Sequence, residues 1–141
     1  MPSQLITVCA ILHKDGKIFT ARRAETKRFL PGKFELPGGH VEFGESLEVA
    51  LKRELMEELD MEVEVHDPIF AFTYLDGENH VVEIDYLATL ENPEQSIVLH
   101  PEDHSEYRWM TPREFEDIWD KNDAEYAAVE AGFKRIDKVT S

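Results

Sequence analysis

The segment GGHVEFGESLEVALKRELMEELDM, residues 38–61, decides how this chain is read. It contains RELMEE, Arg53 to Glu58, which places three carboxylates and an arginine in a turn and a half of helix. The helix itself follows from the leucines. Leu47, Leu51, Leu55 and Leu59 recur every four residues with Ala50 beside them, so an amphipathic helix is expected from about Ser46 to Leu59. Successive helical residues turn by about 100°. Glu54, Glu57 and Glu58 therefore share one side, about a quarter turn from the leucine row. Such a helix can dock its leucines on a sheet while its carboxylates line an adjoining groove. Three clustered carboxylates repel one another and cost stability unless a cation joins them. Oxygen ligands suit a hard ion, Mg²⁺ or Mn²⁺, rather than zinc. Arg53 lies four residues before Glu57 and can also reach back to Glu45. The plainer alternative is a solvated acidic face, which the carboxylates alone do not exclude.

Outward from this segment, Pro37 biases Leu36 away from helix, and Gly38-Gly39 allows an unusual backbone path. Phe34–Leu36 is expected to be short and extended. Residues 22–33 are basic and contain Pro31-Gly32, which marks a loop. Upstream, Gln4–Leu12 is apolar and β-branched, and Asp15-Gly16 is a hairpin signal that returns Lys17–Ala21 antiparallel. Downstream, strands are expected near Glu62–Val65, Ile69–Leu75 and His80–Leu90, with Asp76-Gly77 turning between the last two. A further short strand is expected at Tyr107–Met110. Thr111-Pro112-Arg113-Glu114 is a capping box with proline at the first helical position, and its helix should bury Phe115, Ile118 and Trp119. Asn122 or Asp123 is the expected cap of a last helix, along which Tyr126, Val129, Phe133 and Ile136 recur three or four apart. The expected class is α/β or α+β: a mixed sheet with helices against it.

The 141 residues suit a single domain with one core. The hydrophobic fraction of 42% argues against disorder. No apolar run approaches the roughly 20 residues of a membrane span, and MPSQLITVCAILHKDGK lacks the features of a signal peptide, so a cytoplasmic protein is expected. The single Cys9 excludes an internal disulfide and reads as a small buried hydrophobe. The formal net charge of −15 argues against a nucleic-acid duplex or an anionic membrane as partner. Against that background, Arg22, Arg23, Lys27, Arg28 and Lys33 concentrate five of the fifteen Lys and Arg within residues 22–33. This loop is the candidate phosphate contact, with Arg22 and Arg23 at a strand end. Phe34, Phe29 and Tyr74 are candidates to stack a nucleobase, although aromatics in strands are mostly core. His40 can approach the site, but no His/Cys spacing suggests zinc. There is no Walker A sequence and no GxSxG elbow.

Gly39, Glu45, Arg53-Glu54-Leu55-Met56-Glu57-Glu58 and Met61 together resemble the Nudix box: Gly, five residues, Glu, seven residues, then Arg-Glu-apolar-any-Glu-Glu-any-Gly-apolar. One position departs: the closing glycine is Asp60. That glycine ends the helix in a left-handed conformation, which Asp tolerates better than most residues, so a small stability cost is expected. The flanking EL-PGG and RWMTPREFED stretches are also similar, so the resemblance is expected to span the chain. It implies an α/β/α sandwich and Mg²⁺- or Mn²⁺-dependent hydrolysis of a nucleoside diphosphate linked to another group, by water attack on phosphorus. It implies that Glu54, Glu57 and Glu58, with the Gly39 carbonyl, hold the metal, and that Glu45 and Arg53 form a bracing pair. The general base is left open among Glu57, Glu54 and the loop PEDHSEYRW, where Glu106 is preferred. Substrate contacts are expected from Arg22, Arg23, Phe34, Gly38 and Gly39. A nucleoside triphosphate is the favoured substrate; a nucleotide sugar, and a non-catalytic nucleotide-binding module, stand as alternatives. The apolar C-terminal helix leaves open whether it packs on its own core or forms a homodimer.

Overall fold

A computed structural model describes residues 2–28 and 30–140, with the side chains of 138–140 left aside. Phe29, one of the stacking candidates, lies outside the described residues. The elements in chain order are β1 (Ser3–Lys14), β2 (Lys17–Arg23), β3 (Phe34–Glu35), β4 (Gly38–His40), α1 (Leu47–Leu59), β5 (Val63–Asp76), β6 (Asn79–Leu90), β7 (His104–Met110), α2 (Pro112–Ile118) and α3 (Tyr126–Thr140). The strands join in one mixed sheet with the order β3-β2-β1-β6-β5; β4 pairs with β1 and β7 with β2.

β1 organises the molecule. Residues Thr7 to Leu12 are all buried, the pattern of a strand covered on both faces. Its even positions, Val8, Ala10 and Leu12, join Leu51, Leu55 and Leu59 of α1 in one core cluster. Its odd positions, Cys9 and Ile11, join Phe115, Trp119, Val129 and Ile136 of the α2–α3 side in a second. The helices thus cover opposite faces of the sheet, an α+β sandwich. Each leucine fully buried under α1 contributes about 1.5–3 kcal/mol.

β1 runs parallel to β6, with Thr7 opposite Glu83, Cys9 opposite Asp85 and Ile11 opposite Leu87. β4 lies antiparallel on β1, with Gly38 opposite Cys9 and Thr7 opposite His40. The permissive glycine pair therefore forms a short strand. Gly38 is required there: a Cβ would overlap the Val8 carbonyl and the Cys9 side chain.

The structure differs from the sequence-based expectations in several further places: β7 begins at His104 rather than Tyr107, so Glu106, expected in a loop, lies in a strand. The two strands expected at 62–65 and 69–75 are one strand, β5, whose register shifts on either side of Pro68. Proline removes a ladder hydrogen bond there, and irregular pairing absorbs the loss. Ile118 is not buried; it is 40% exposed at the end of α2, while Phe115 and Trp119 fill the core as expected. A seven-residue helix turns only one narrow stripe inward. Neither Asn122 nor Asp123 caps α3 directly. Asp123 instead closes a turn, accepting from the Glu125 N–H at 2.8 Å, before the helix begins at Tyr126. The capping box at Thr111 and Glu114 is formed in both directions. α3 packs its Val129 and Ile136 on the chain's own core. Among the described residues no helix is long and apolar enough to cross a membrane.

Candidate active site

The acidic helix α1 begins at Ser46, whose hydroxyl accepts from the Val49 N–H. It ends at Asp60, which adopts the left-handed conformation (φ 55°, ψ 36°) expected of the position. Asp60 N–H bonds to the Met56 carbonyl at 3.1 Å and Met61 N–H to the Leu55 carbonyl at 3.3 Å, which satisfies the last turn.

Arg53 stands at the centre of the carboxylates. Its Nε and Nη2 donate to the two oxygens of Glu45 at 2.7 and 2.9 Å, a bidentate pair. Nη2 also donates to the His40 carbonyl at 3.0 Å, tying α1 to the end of β4. Nη1 reaches Glu54 at 3.0 Å and Glu57 at 3.3 Å. Glu45 further accepts from the Glu42 N–H at 3.0 Å. The Arg53 hydrogen bonds, then this backbone bond, lower the Glu45 pKa to about 2.

The other carboxylates meet the opposite influence. Burial raises the pKa of Glu54, with Arg53 opposing it. Burial, then the charges of Glu35, Glu54 and Asp103, push Glu58 up to about 8, while Lys27 pulls weakly the other way. Excess negative charge around Glu58 is what a bound cation would relieve. Gly39 leaves the space for it, because a Cβ there would overlap the Glu54 carboxyl. Glu54 and Glu58 with the Gly39 carbonyl are an oxygen-only donor set that fits a hard divalent ion. Glu57 is 59% exposed at the outer edge of this group.

A cleft of about 530 Å³, within the range of small-molecule sites, is lined by Glu54 and Glu58. Of the residues singled out from sequence, it brings together Gly38, Gly39, Glu54, Glu58, Arg23, Phe34, Tyr74 and His40. Glu45, Arg53 and Glu57 do not line it, and neither do Arg22 and Glu106. The latter two lie across from each other on β2 and β7 and line a separate groove with Phe34 and Arg108. Both arginines are engaged: Arg22 with the Gly32 carbonyl at 2.9 Å and Glu25 at 3.0 Å, Arg23 with Glu35 at 2.9 Å.

Sequence reasoning missed several residues here. Glu35 was missed: it joins Arg23 to His104, whose Nε2 lies 2.8 Å from its second oxygen, while Asp103 and His104 belong to the PEDHSEYRW stretch already singled out, Asp103 pairing with Lys27 at 2.9 Å. Glu83 and Glu125 also line the cleft, while Asp85, two residues along β6, is fully buried and does not. Two acids in alternation within VVEIDYL were the available signal, since they put carboxylates on one face of an otherwise apolar strand.

The NUDIX domain family profile matches residues 2–129. This chain belongs to the Nudix family. Among curated Nudix relatives, nucleoside triphosphatase NudI of Salmonella arizonae is 32% identical over 121 residues, covering 79% of this chain and 85% of that protein. NudI of Escherichia coli O139:H28 is 31% identical over 122 residues, covering 79% and 84%. Two solved structures share the Nudix fold closely. The MutT protein from Methanosarcina mazei Go1 superposes with a TM-score of 0.79 at 25% identity, covering 99% of this chain and 97% of that one. The E. coli ORF135 protein gives 0.76 at 26% identity, covering 98% and 94%. The chain is accordingly a Nudix-type pyrophosphohydrolase, an enzyme acting on phosphoanhydride bonds.

Proposed function

We propose that this Nudix hydrolase cleaves a (deoxy)nucleoside triphosphate, with Mg²⁺ or Mn²⁺ held by Glu54, Glu57, Glu58 and the Gly39 carbonyl. The observation that carries this reading is a nucleotide-sized cleft lined by the α1 carboxylates Glu54 and Glu58 and by the aromatic residues Phe34, Phe72 and Tyr74. Relatives named nucleoside triphosphatase support the choice of substrate.

A triphosphate is dense in negative charge, and a bare acidic groove would reject it. A divalent ion, when bound, reverses the local field and polarises the phosphoryl oxygens. The remaining work belongs to the protein. Arg53 and Glu45 fix the turn of α1 that carries the carboxylates, and the His40 carbonyl anchors that clamp to the sheet. Water attacks one phosphorus, the anhydride P–O bond breaks, and the bridging oxygen leaves with the departing phosphate. Glu57 and Glu54 are the candidates to take the proton of the attacking water, and Glu57 is the more open to solvent. Glu106 lies in the neighbouring groove, so its contribution to the base is the weaker assignment. Lys33 and Arg23 border the cleft and are the candidates for phosphate contact.

A panel of nucleoside triphosphates and nucleotide sugars, assayed for phosphate and pyrophosphate release with Mg²⁺, with Mn²⁺ and with a chelator, tests the reading. Metal-dependent release from at least one triphosphate is expected, with the chelator abolishing it. Release confined to nucleotide sugars would overturn the substrate assignment. Binding without turnover of any phosphoanhydride would overturn the catalytic one.

A further inference from the structure

We propose that the outer edge of β5 is a self-association surface, on which a second copy of this chain adds its own β5 antiparallel, with Phe72 opposite Phe72 of the partner subunit. The two sheets then run on as one across a two-fold axis, and the same edge is used by both copies.

β5 ends the strand order, and among the described residues no strand pairs with its outer side. In an antiparallel pair, alternate residues spend their N–H and C=O on the neighbour. The other residues of β5 turn theirs outward, a ready template for another strand. The first half of the edge is guarded. Pro68, the register shifts on either side of it, and Asp67, held by Arg135 at 3.1 Å, all spoil regular pairing there. The second half is not guarded. Ile69-Phe70-Ala71-Phe72-Thr73-Tyr74-Leu75 carries no charge in a chain whose residues are 32% charged. An uncharged strand belongs at the centre of a sheet, where β1 lies, rather than at its rim. Ala71, Thr73 and Leu75 are exposed, Leu75 by 72%.

The charge pattern selects a second copy as the occupant. Two chains of formal net charge −15 repel each other over most of their surface, and along this segment they meet without setting acid against acid. Directly opposite residues of an antiparallel pair are of the same hydrogen-bonding class, so the two-fold axis falls on a single residue. An axis on Phe72 sets Phe70 opposite the partner's Tyr74 and Ala71 opposite the partner's Thr73. An axis on Thr73 sets Phe70 opposite the partner's Asp76. An axis on Ala71 carries Tyr74 and Leu75 into the irregular stretch at Asp67 and Pro68. Only the Phe72 axis pairs the regular stretch 70–74 throughout, aromatic with aromatic, and leaves the flanking acids outside it. Phe70, Phe72 and Tyr74 already pack in a row, with ring centroids 5.9 and 5.8 Å apart, and the partner's rings extend that row. Phe72 and Tyr74 also line the cleft, so the pairing braces its aromatic wall. A contact this short makes a weak, exchanging dimer.

Sedimentation velocity of the full chain across the micromolar range reads the association, at about 0.15 M salt to screen the net repulsion. A monomer–dimer equilibrium is expected in the wild type. Charge reads the register. Ala71 and Thr73 are exposed and do not line the cleft. Ala71→Glu with Thr73→Glu sets like charges directly opposite each other on both sides of the axis and should weaken the dimer about tenfold. Ala71→Lys with Thr73→Lys should weaken it similarly although it lowers the net charge. Ala71→Glu with Thr73→Lys sets opposite charges there and should restore it. If the like-charged variants lose cooperative melting, amide hydrogen exchange in the wild type decides. Those amides of residues 70–74 that β6 does not bind should then exchange more slowly as protein concentration rises. A wild type monomeric throughout, exchange independent of concentration, or a dimer indifferent to both like-charged variants would overturn the proposal. So would a charge-swapped variant as weak as the like-charged ones. None of these readouts depends on turnover, so they hold whichever nucleotide the cleft takes.

Discussion

Arg53 holds Glu45 with two N–H···O bonds and reaches Glu54 and Glu57 with its remaining nitrogen. Only a planar fork makes these bonds together; a lysine ammonium keeps the charge and loses the geometry. Arg53→Lys is therefore expected to lower kcat/KM by about 10–100-fold, the usual cost of losing a group that orients metal ligands. Circular dichroism should show the fold retained, since the leucine face of α1 is untouched. Glu58→Gln and Glu57→Gln remove proposed ligands themselves, and each should lose more than Arg53→Lys does. Unchanged turnover in both would mean that the metal is not held by this side of α1. The same measurements separate chemistry from solvation, because a merely solvated face would tolerate all three changes.

At the scale of the element, Asp60 tests how the helix ends. Its left-handed conformation costs a non-glycine residue about 1–2 kcal/mol, which glycine avoids at some entropic cost of its own. Asp60→Gly is expected to raise the melting temperature by a few degrees and leave kcat unchanged; Asp60→Val should lower it. A fall in kcat for Asp60→Gly would show that this end of α1 carries more than a stop signal. Such local devices were legible in the sequence. The leucine period, the Asp15-Gly16 hairpin and the Thr111–Glu114 capping box each lie within a few residues, and each formed. What was not legible depends on partners far along the chain. The glycine pair became a strand only because β1 offered it an antiparallel neighbour. Pro68 did not divide β5, because β6 continues to pair beyond it on both sides. Glu106 reads like a neighbour of the box, yet β7 pairs with β2 and carries it to a different groove. The acids 83, 85 and 125 meet only when β6 lies parallel on β1 and α3 folds back over both.

For the whole molecule these buried acids set a pH dependence whose sign is determined. Glu83 faces Asp85, Glu125 and Cys9, and burial raises the pKa of each carboxyl above its unfolded value. Between the ordinary carboxylate range and the raised values, the folded state binds more protons than the unfolded chain. Stability therefore falls as pH rises through that window, the reverse of a salt-bridged carboxylate. Glu45 is such a carboxylate; its contribution is intact at neutral pH and is lost only as pH falls towards about 2. The formal net charge of −15 adds a further penalty at alkaline pH through self-repulsion. Melting curves of the metal-free protein should accordingly show a midpoint that declines steadily from about pH 5 upwards. Glu83→Gln with Asp85→Asn removes two of the titrating groups but not the self-repulsion, so its decline should be shallower. An equally steep decline in that variant would show that this pair does not set the dependence, leaving it to Glu58, Glu125 and the net charge.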